Sequence, residues 1–203
     1  MEIYVVRHGE TVWNAKKLLQ GRADIELNEN GRKLAGITGK VLDNVKFDYI
    51  FSSPLIRAYE TACLIRGHRD IPIIRDDRLR ELSFGVYEGE DFSALLKDET
   101  NSFHNFFKKP ELYVAPEGGE TLEHLSARAG EFMQEKIEPL AKECKRVMIV
   151  AHGALNKGIM TYVKKHDTSM FWSGGLQKNC NVIIMNYYNG EYNIIEETKV
   201  FYE

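Results

Sequence analysis

The chain has 203 residues, 43% of them hydrophobic, and a formal net charge of −3 at pH 7. This length suits one α/β domain with insertions, and the apolar share excludes a disordered chain. The charge indicates neither a nucleic-acid nor a membrane surface, so local cations must attract any bound anion. The three cysteines lack metal or redox spacing, and no apolar run reaches the roughly 20 residues of a membrane span. We therefore expect a reduced, cytoplasmic protein.

Short apolar runs alternate with helical patterns in the first part of the chain, which indicates an α/β fold. Residues 3–6 are rich in β-branched side chains and predict a buried strand. Asn28 can cap a helix that follows. After a second strand at residues 49–51, Ser53-Pro54 predicts a helix with Ser53 as its N-cap and its end near Arg66.

The middle of the chain is less regular. Residues 71–74 are a third candidate strand, and residues 91–109 predict a weak helix. A loop is expected at residues 110–119. A long helix should follow, because apolar side chains recur at helical spacing between Leu122 and Leu140.

The last part of the chain returns to the α/β pattern. Residues 147–151 form the clearest strand of this half, and residues 153–165 predict a helix. Asn189-Gly190 separates two further strand patterns, at residues 182–187 and 192–200. Asn-Gly between two strand patterns is a strong signal for a β-hairpin.

Polar side chains follow three of the predicted strands. His8 comes after the first strand, Arg57 lies early in the helix after the second, and His152 follows residues 147–151. Ligands of open α/β sheets bind at the carboxyl ends of strands, so parallel neighbours would bring these side chains together. Arg7 adds a second arginine, and helix N-termini there would favour an anion. Arginine binds phosphate oxygens in pairs and histidine can act as a nucleophile, which suits phosphoryl transfer.

The segment Arg7-His8-Gly9-Glu10-Thr11 resembles the signature of the histidine phosphatase superfamily, which includes cofactor-dependent phosphoglycerate mutase. Further motifs similar to those of the family follow in order, at residues 12–14, 20–24, 27–31, 52–62, 79–89, 116–121 and 150–153. The resemblance covers roughly residues 1–190. It implies a single domain over residues 1–203, a three-layer α/β/α sandwich whose central, mostly parallel sheet is flanked by helices, with residues 88–143 as a helical lid insertion.

The resemblance also implies a role for each matching position. His8 would attack phosphorus and become phosphohistidine, while Arg7, Arg57 and His152 would grip the phosphoryl oxygens. Glu81 would protonate the leaving oxygen and then activate water. Substrate contacts are implied at four further positions: Asn14, Gln20, Gly21 and Gly153. No metal ion or other cofactor is implied, because the arginines supply the positive charge.

Phosphatases and mutases share this motif set. Residues 101–109 carry aromatic side chains and two lysines, but not the paired arginines that the longer glycolytic mutases have after the third motif. This difference favours a phosphomonoesterase that hydrolyses a small soluble phosphate ester through phosphohistidine. A cofactor-dependent phosphoglycerate mutase is the alternative. A non-catalytic binding module on the same fold is a third, although His8 and Glu81 are both present.

The substrate and the oligomeric state stay open at this point. Phe103, Phe106, Phe107 and Tyr113 would either form an apolar wall over the pocket or face the core from a helix. Sugar phosphates, nucleotides, phosphoserine and the ribazole phosphate of cobalamin assembly are all compatible with the motifs. The C-terminal hairpin offers an edge strand that could pair two subunits in a homodimer.

Overall fold

A computed structural model describes residues 1–202 and contains one six-stranded sheet. Its strands are β1 (Glu2–Arg7), β2 (Tyr49–Ser52), β3 (Ile73–Arg75), β4 (Arg146–Ala151), β5 (Val182–Tyr188) and β6 (Glu191–Lys199). The spatial order is β3-β2-β4-β1-β5-β6. The first four strands in that order run parallel to one another. Strand β5 runs antiparallel to β1, and β6 runs antiparallel to β5. The prediction of a mostly parallel sheet is therefore confirmed.

Helices cover both faces of this sheet. They are α1 (Val12–Ala15), α2 (Glu29–Val41), α3 (Ile56–Arg66), α4 (Phe92–Lys97), α5 (Leu122–Phe132) and α6 (Gly153–Lys164). One apolar core joins α3, and Leu42 at the C-terminal end of α2, to one face through side chains such as Ala62 and Val150. A larger core joins α5 and α6 to the other face through Leu125 and Ile149. The layers follow the predicted α/β/α order, and no helix within residues 1–202 is long and apolar enough to cross a membrane.

Two local signals act as the sequence predicts. The Asn28 side chain accepts a hydrogen bond from the Gly31 N–H at 2.7 Å and so caps α2. Asn189 and Gly190 have φ angles of 51° and 83°, the left-handed values that a tight hairpin turn requires. The turn connects β5 to β6, and β6 forms one edge of the sheet. The homodimer suggested by that edge stays a prediction.

The predicted start of the helix after β2 is wrong. Helix α3 begins at Ile56 with Leu55 as its N-cap, rather than at Pro54 with Ser53 as the cap. The Ser53 hydroxyl lies 2.7 Å from Nε2 of His152, a residue distant in sequence, and also accepts from the Leu55 N–H. A contact made by the tertiary fold has therefore replaced the local capping role. The third strand is also displaced from residues 71–74, to Ile73–Arg75.

The helix predicted over residues 91–109 is broken. Only α4 is helical, and a 3-10 turn follows at Ser102–Asn105. The predicted loop over residues 110–119 contains a further 3-10 turn at Pro110–Leu112. Phe103 and Phe106 pack as a stacked pair with ring centroids 4.8 Å apart, and both are buried. Turning both rings into the core determines the backbone here, against a weak helical propensity.

The long helix predicted after Gly119 changes type along its length. Helix α5 passes into a π-helical turn at Met133–Ile137 and a 3-10 segment at Glu138–Lys142. Pro139 explains the change, because it has no N–H to donate and its ring crowds the preceding turn. Other single 3-10 turns lie at Asp77–Leu79, Gly85–Tyr87 and Thr168–Met170.

Candidate active site

One cavity of about 500 Å³ lies at the carboxyl ends of the central parallel strands. Strands β2, β4 and β1 are adjacent, so the segments that follow them meet at one edge of the sheet. Eight of the nine predicted site residues line this cavity: Arg7, His8, Asn14, Gln20, Gly21, Arg57, Glu81 and Gly153. His152 stands behind the lining, with its ring centroid 5.2 Å from that of His8. The convergence predicted from the strand ends is confirmed.

His8 is held as a neutral imidazole. Its side chain is 3% exposed, and Nδ1 lies 2.6 Å from the backbone oxygen of Gly9. A carbonyl oxygen can only accept, so Nδ1 carries the proton and Nε2 keeps a free electron pair. Burial lowers the pKa of His8 well below 6.5, and the charges of Arg57 and Arg7 lower it further. The ring is therefore unprotonated at neutral pH, and the electron pair of Nε2 is available to react.

Two arginines supply the positive charge of the cavity. Arg57 is fully buried and donates to the backbone oxygens of Ala23 at 2.8 Å and Gly21 at 2.7 Å. Arg7 donates to the backbone oxygen of Gln177. Burial lowers the pKa of both guanidiniums, that of Arg57 to about 10, and the charge of Glu81 opposes the effect in each case. Both therefore remain cations at neutral pH.

His152 is fully buried at the N-terminus of α6. Burial lowers its pKa well below 6.5, with Arg57 and His8 acting in the same direction. Ser53 approaches Nε2, whereas Nδ1 has no hydrogen-bond partner within residues 1–202. The buried Nε atoms of Arg7 and Arg57 likewise have no partner in that range. Buried polar atoms normally have a partner, so these three nitrogens suit the oxygens of a bound anion.

Glu81 lies between the 3-10 turns at Asp77–Leu79 and Gly85–Tyr87, and it lines the cavity. Its carboxylate accepts from the backbone N–H groups of Leu82 at 2.9 Å, Ala154 at 3.1 Å and Leu155 at 3.0 Å. Two of these donors belong to the first turn of α6, so the N-terminus of that helix holds the carboxyl group in place. Glu81 is 9% exposed, and these three hydrogen bonds fix the direction of its carboxylate.

The four predicted substrate contacts differ in how freely they face the cavity. The Asn14 side-chain oxygen accepts from the Thr11 N–H at 3.1 Å, which leaves its Nδ2 donor turned to other partners. Gln20 is buried and accepts from the Thr11 hydroxyl at 2.9 Å. Gly21 has a φ of 53°, and a Cβ there would lie 2.1 Å from a Glu88 carboxylate oxygen, so no other residue fits.

The mouth of the cavity is mainly aromatic. Phe106 and Phe107 line it, so the predicted apolar wall is real for these two side chains. Phe103 and Tyr113 are buried in the core without lining the cavity, which is the alternative that the sequence left open. Phe106 belongs to both, because it packs in the core and also lines the cavity. Lys108 and Lys109, which also lie in this segment, are exposed and do not line the cavity.

A comparison with models of protein families shows to which family this chain belongs. The model of the histidine phosphatase superfamily (branch 1) matches residues 3–198. The chain belongs to this superfamily. The predicted family and fold are therefore confirmed, and so is the predicted class of phosphoryl-transfer enzyme. Within residues 1–202 of this histidine phosphatase, no three His, Cys, Asp or Glu side chains are grouped to hold a metal ion.

Relatives of this histidine phosphatase include both phosphatases and a mutase. The fructose-2,6-bisphosphatase TIGAR of Xenopus tropicalis is 43% identical over 64% of this chain and 47% of its own length. This chain thus spans about half of that relative. A 2,3-bisphosphoglycerate-dependent phosphoglycerate mutase of Cytophaga hutchinsonii is 34% identical over 80% of this chain and 77% of its own length. The solved structure of Bacillus stearothermophilus YhfR is 33% identical, with a TM-score of 0.88 over 98% of each chain.

Sequence analysis of this histidine phosphatase missed several residues of the cavity. Asn179 donates to the backbone oxygen of His8 at 3.1 Å and lies 3.4 Å from Asn14. Trp172 and Lys17 line the cavity as well. Asn179 and Trp172 stand outside every motif, and Lys17 falls between two of them, so no local pattern marks these three side chains.

Proposed function

We propose that this protein is a phosphomonoesterase that hydrolyses a small phosphate ester through a phosphohistidine intermediate. The observation that carries the proposal is the state of His8. Its ring is neutral, its tautomer is set by the Gly9 carbonyl, and it faces a cavity that also contains Arg7 and Arg57. A free imidazole nitrogen beside two cations is what a nucleophile needs to attack a phosphoryl group.

In the first step, the electron pair on Nε2 of His8 forms a bond to phosphorus while the ester P–O bond breaks. Glu81 gives its proton to the leaving oxygen, which departs as an alcohol. Arg7 and Arg57 stabilise the charge on the equatorial phosphoryl oxygens. His152 and Asn14 would add hydrogen bonds to those oxygens, since Nδ1 of His152 is buried without a partner within residues 1–202 and Asn14 lines the cavity.

In the second step, water attacks the phosphorus of phosphohistidine and the P–N bond breaks. Glu81, now a carboxylate, takes a proton from that water as the new P–O bond forms. The bond electrons return to Nε2 of His8, and inorganic phosphate leaves. Each group ends in its starting state, so the cycle needs no redox partner.

We propose that the substrate is a small phosphate ester with an apolar part. A cavity of about 500 Å³ falls within the range of small-molecule sites. Phe106, Phe107 and Trp172 give its mouth a surface suited to rings and carbon chains. We further propose that the protein is a single domain in which residues 88–143 form the lid. Only the part of this segment before α5 would cover the cavity, since α5 contributes Leu125 and Phe132 to the main core.

The nucleophile is tested by His8→Ala, with p-nitrophenyl phosphate as substrate. We expect kcat to fall by at least about 10³-fold, as for loss of other catalytic nucleophiles. An acid-labile phosphoprotein should form in rapid-quench samples of the parent and be absent from the variant. His68→Ala removes an exposed histidine and is the matched control. Activity of His8→Ala within tenfold of the parent would exclude His8 as the nucleophile.

A mutase is the second candidate, because a phosphoglycerate mutase is among the relatives. The deciding assay supplies 3-phosphoglycerate with and without 2,3-bisphosphoglycerate and follows both 2-phosphoglycerate and free phosphate. Phosphate release without interconversion supports the phosphatase. Interconversion that depends on the bisphosphate, at a rate above phosphate release, would replace our proposal with the mutase. A panel of phosphorylated metabolites, assayed without added metal, then identifies the ester.

A further inference from the structure

A buried ion pair contacts the backbone of the segment that carries Glu81. Glu120 and Arg128 are 7% and 8% exposed. Arg128 donates from Nε to one carboxylate oxygen of Glu120 at 2.7 Å and from Nη2 to the other at 2.9 Å. Both side chains stand outside the lining of the cavity. The pair therefore has no direct contact with a bound substrate to explain it.

The remaining donors of Arg128 all reach one short stretch of backbone. Nη1 donates to the backbone oxygens of Arg78 and of Arg80, the latter at 2.7 Å. Nη2 donates to the backbone oxygen of Glu81 at 3.1 Å. One rigid, planar guanidinium thus holds three carbonyls, two that precede the Glu81 side chain and that of Glu81 itself.

Glu120 holds the same stretch from its other end. Its carboxylate accepts from the Ser83 N–H at 3.4 Å and from Arg22 at 3.2 Å. Arg22 in turn places its Nε 3.4 Å from the backbone oxygen of Glu81. Burial acts to raise the pKa of Glu120, but the hydrogen bonds and charge of Arg128 lower it overall, so the group stays ionised.

A buried ion pair is a costly way to hold a loop. Removing two charges from water carries a desolvation penalty that their attraction often fails to exceed. The distinctive property of this pair is directional, because it orients the backbone of residues 78–83 on both sides of one carboxylate.

We propose that Arg128 and Glu120 are positioning residues for the proton transfer by Glu81. They fix the backbone at residue 81, while the N–H groups of Ala154 and Leu155 fix the carboxylate at its other end. This inference rests on the function proposed above. It adds two residues that touch neither the phosphoryl group nor the leaving group, and it assigns a role to the motif at residues 116–121.

The test uses esters that differ in their need for a proton. The p-nitrophenolate ion leaves without protonation, whereas an alkoxide leaves only if Glu81 supplies a proton. For each variant we would measure kcat/KM on p-nitrophenyl phosphate and on an alkyl phosphate such as propyl phosphate. If Glu81 is misplaced, kcat/KM falls more for the alkyl ester than for the aryl ester. If the amount of folded enzyme falls, kcat/KM falls by the same factor for both esters.

We expect Arg128→Met to lower kcat/KM about tenfold more on the alkyl ester than on the aryl ester. Glu81→Gln should show the same pattern more strongly. Arg128→Lys should recover part of the loss, because an ammonium can still donate to some of the carbonyls. Arg69→Met is the matched control, since Arg69 also donates to backbone oxygens, those of Leu42 and Val45, far from the cavity.

Equal losses on both esters in Arg128→Met would overturn the positioning role and leave the proposed phosphatase intact. If Arg128→Met does not fold, Arg128→Lys and Glu120→Gln decide the question by the same ratio of esters. A ratio that stays at the parental value in both folded variants overturns the proposal. Failure of the phosphatase itself would show separately, as activity that persists in His8→Ala.

A second inference concerns the cation at the mouth of the cavity. Lys17 lines the cavity, whereas the neighbouring Lys16 does not. Its φ of 57° is left-handed, which is strained for a side chain of this kind. Two hydrogen bonds hold it there, from its N–H to the Asn14 oxygen at 3.1 Å and from the Phe92 N–H to its own oxygen at 3.0 Å. Within residues 1–202 its ammonium group forms no ion pair.

We infer that Lys17 binds a second anionic group of the substrate. On the proposed function, Arg7 and Arg57 take the phosphoryl group, and the lining also includes apolar side chains such as Phe107, Trp172 and Leu176. A carboxylate or second phosphate on the ester would find its counter-charge only at Lys17 among the described lining residues. The substrate class is then a phosphate ester that carries another negative charge.

Phenyl phosphate and 4-carboxyphenyl phosphate test this inference, because they differ by one carboxylate. We expect the preference for the carboxylated ester, as a ratio of kcat/KM values, to fall about fivefold in Lys17→Met, the upper range for an exposed ion pair. Lys16→Met is the matched control and should keep the parental ratio. A ratio in Lys17→Met equal to that of the parent overturns the inference, and a loss of activity on both esters alike does the same.

Discussion

The bottom and the mouth of the cavity are held together by different forces. At the bottom, three polar side chains are tied to backbone: Arg57 to two carbonyls, His8 to one, and the Glu81 carboxylate to three N–H groups. At the mouth, Phe107 meets Phe92 and Trp172 through ring contacts, with centroids 5.4 Å and 4.6 Å apart. Hydrogen bonds define direction, whereas ring contacts depend mainly on area and tolerate exchange.

This difference separates two tasks. On the proposed function, the bottom must place a nucleophile, two cations and a proton donor to within a fraction of an ångström, which directional bonds to backbone can do. The mouth must accept the organic part of an ester, for which an apolar surface of suitable shape suffices. We therefore expect changes at the bottom to stop the chemistry and changes at the mouth to alter which ester is used.

After the loss of His8, the largest effect should come from Arg57→Met at the bottom. Methionine keeps much of the stem volume but removes the guanidinium that stabilises the phosphoryl oxygens. We expect kcat/KM on p-nitrophenyl phosphate to fall by about 10²- to 10³-fold, measured by steady-state kinetics. Arg32→Met, at a surface arginine that pairs with Glu60, is the control and should stay within about twofold. Similar small losses in both variants would contradict the contrast between bottom and surface.

A smaller effect concerns pH and stability. Burial lowers the pKa of His8 and of His152 in the folded protein. The unfolded chain therefore takes up protons first as the pH falls, so the unfolding free energy should decrease below about pH 6.5. The slope is at most about 1.4 kcal/mol per pH unit for each histidine, until the lowered folded pKa values are reached.

Urea unfolding between about pH 7.5 and about pH 5.5 measures this slope. His152→Gln removes one titrating group and should flatten the dependence by up to about 1.4 kcal/mol per pH unit. A parental stability that is constant across the window would contradict the neutral state assigned to both rings. Enzyme activity should likewise show no inflection from His8 near pH 6.5, because its protonation lies at lower pH.

The smallest effect is expected at the mouth, from Phe107→Ala. The side chain lines the cavity but is only half-buried, so its loss should raise KM by about five- to tenfold, more than it lowers kcat. Phe103→Ala is the matched control, because that ring is fully buried away from the lining. There we expect a loss of about 3 kcal/mol in unfolding free energy and little change in KM. An unchanged KM in Phe107→Ala together with a raised KM in Phe103→Ala would overturn the proposed apolar wall.

Prediction from sequence succeeded where the signal lies within a few residues. The Asn28 cap and the Asn189-Gly190 turn each depend on one or two backbone angles that those residue types favour. It failed for Ser53 because the partner of that hydroxyl, His152, is 99 positions away. It also failed for residues 91–109, where burial of two phenylalanine rings outweighs a weak helical pattern.

By itself, the sequence determined the family, the succession of strands along the chain and the candidate site residues His8, Arg57 and Glu81, since these follow from local patterns and fixed motifs. Only the tertiary structure decided which aromatic rings face the cavity and that Arg128, 47 positions after Glu81, holds its backbone. Such contacts depend on how helices pack against the sheet. Packing is set by the summed shape and burial of many side chains, which no short segment encodes.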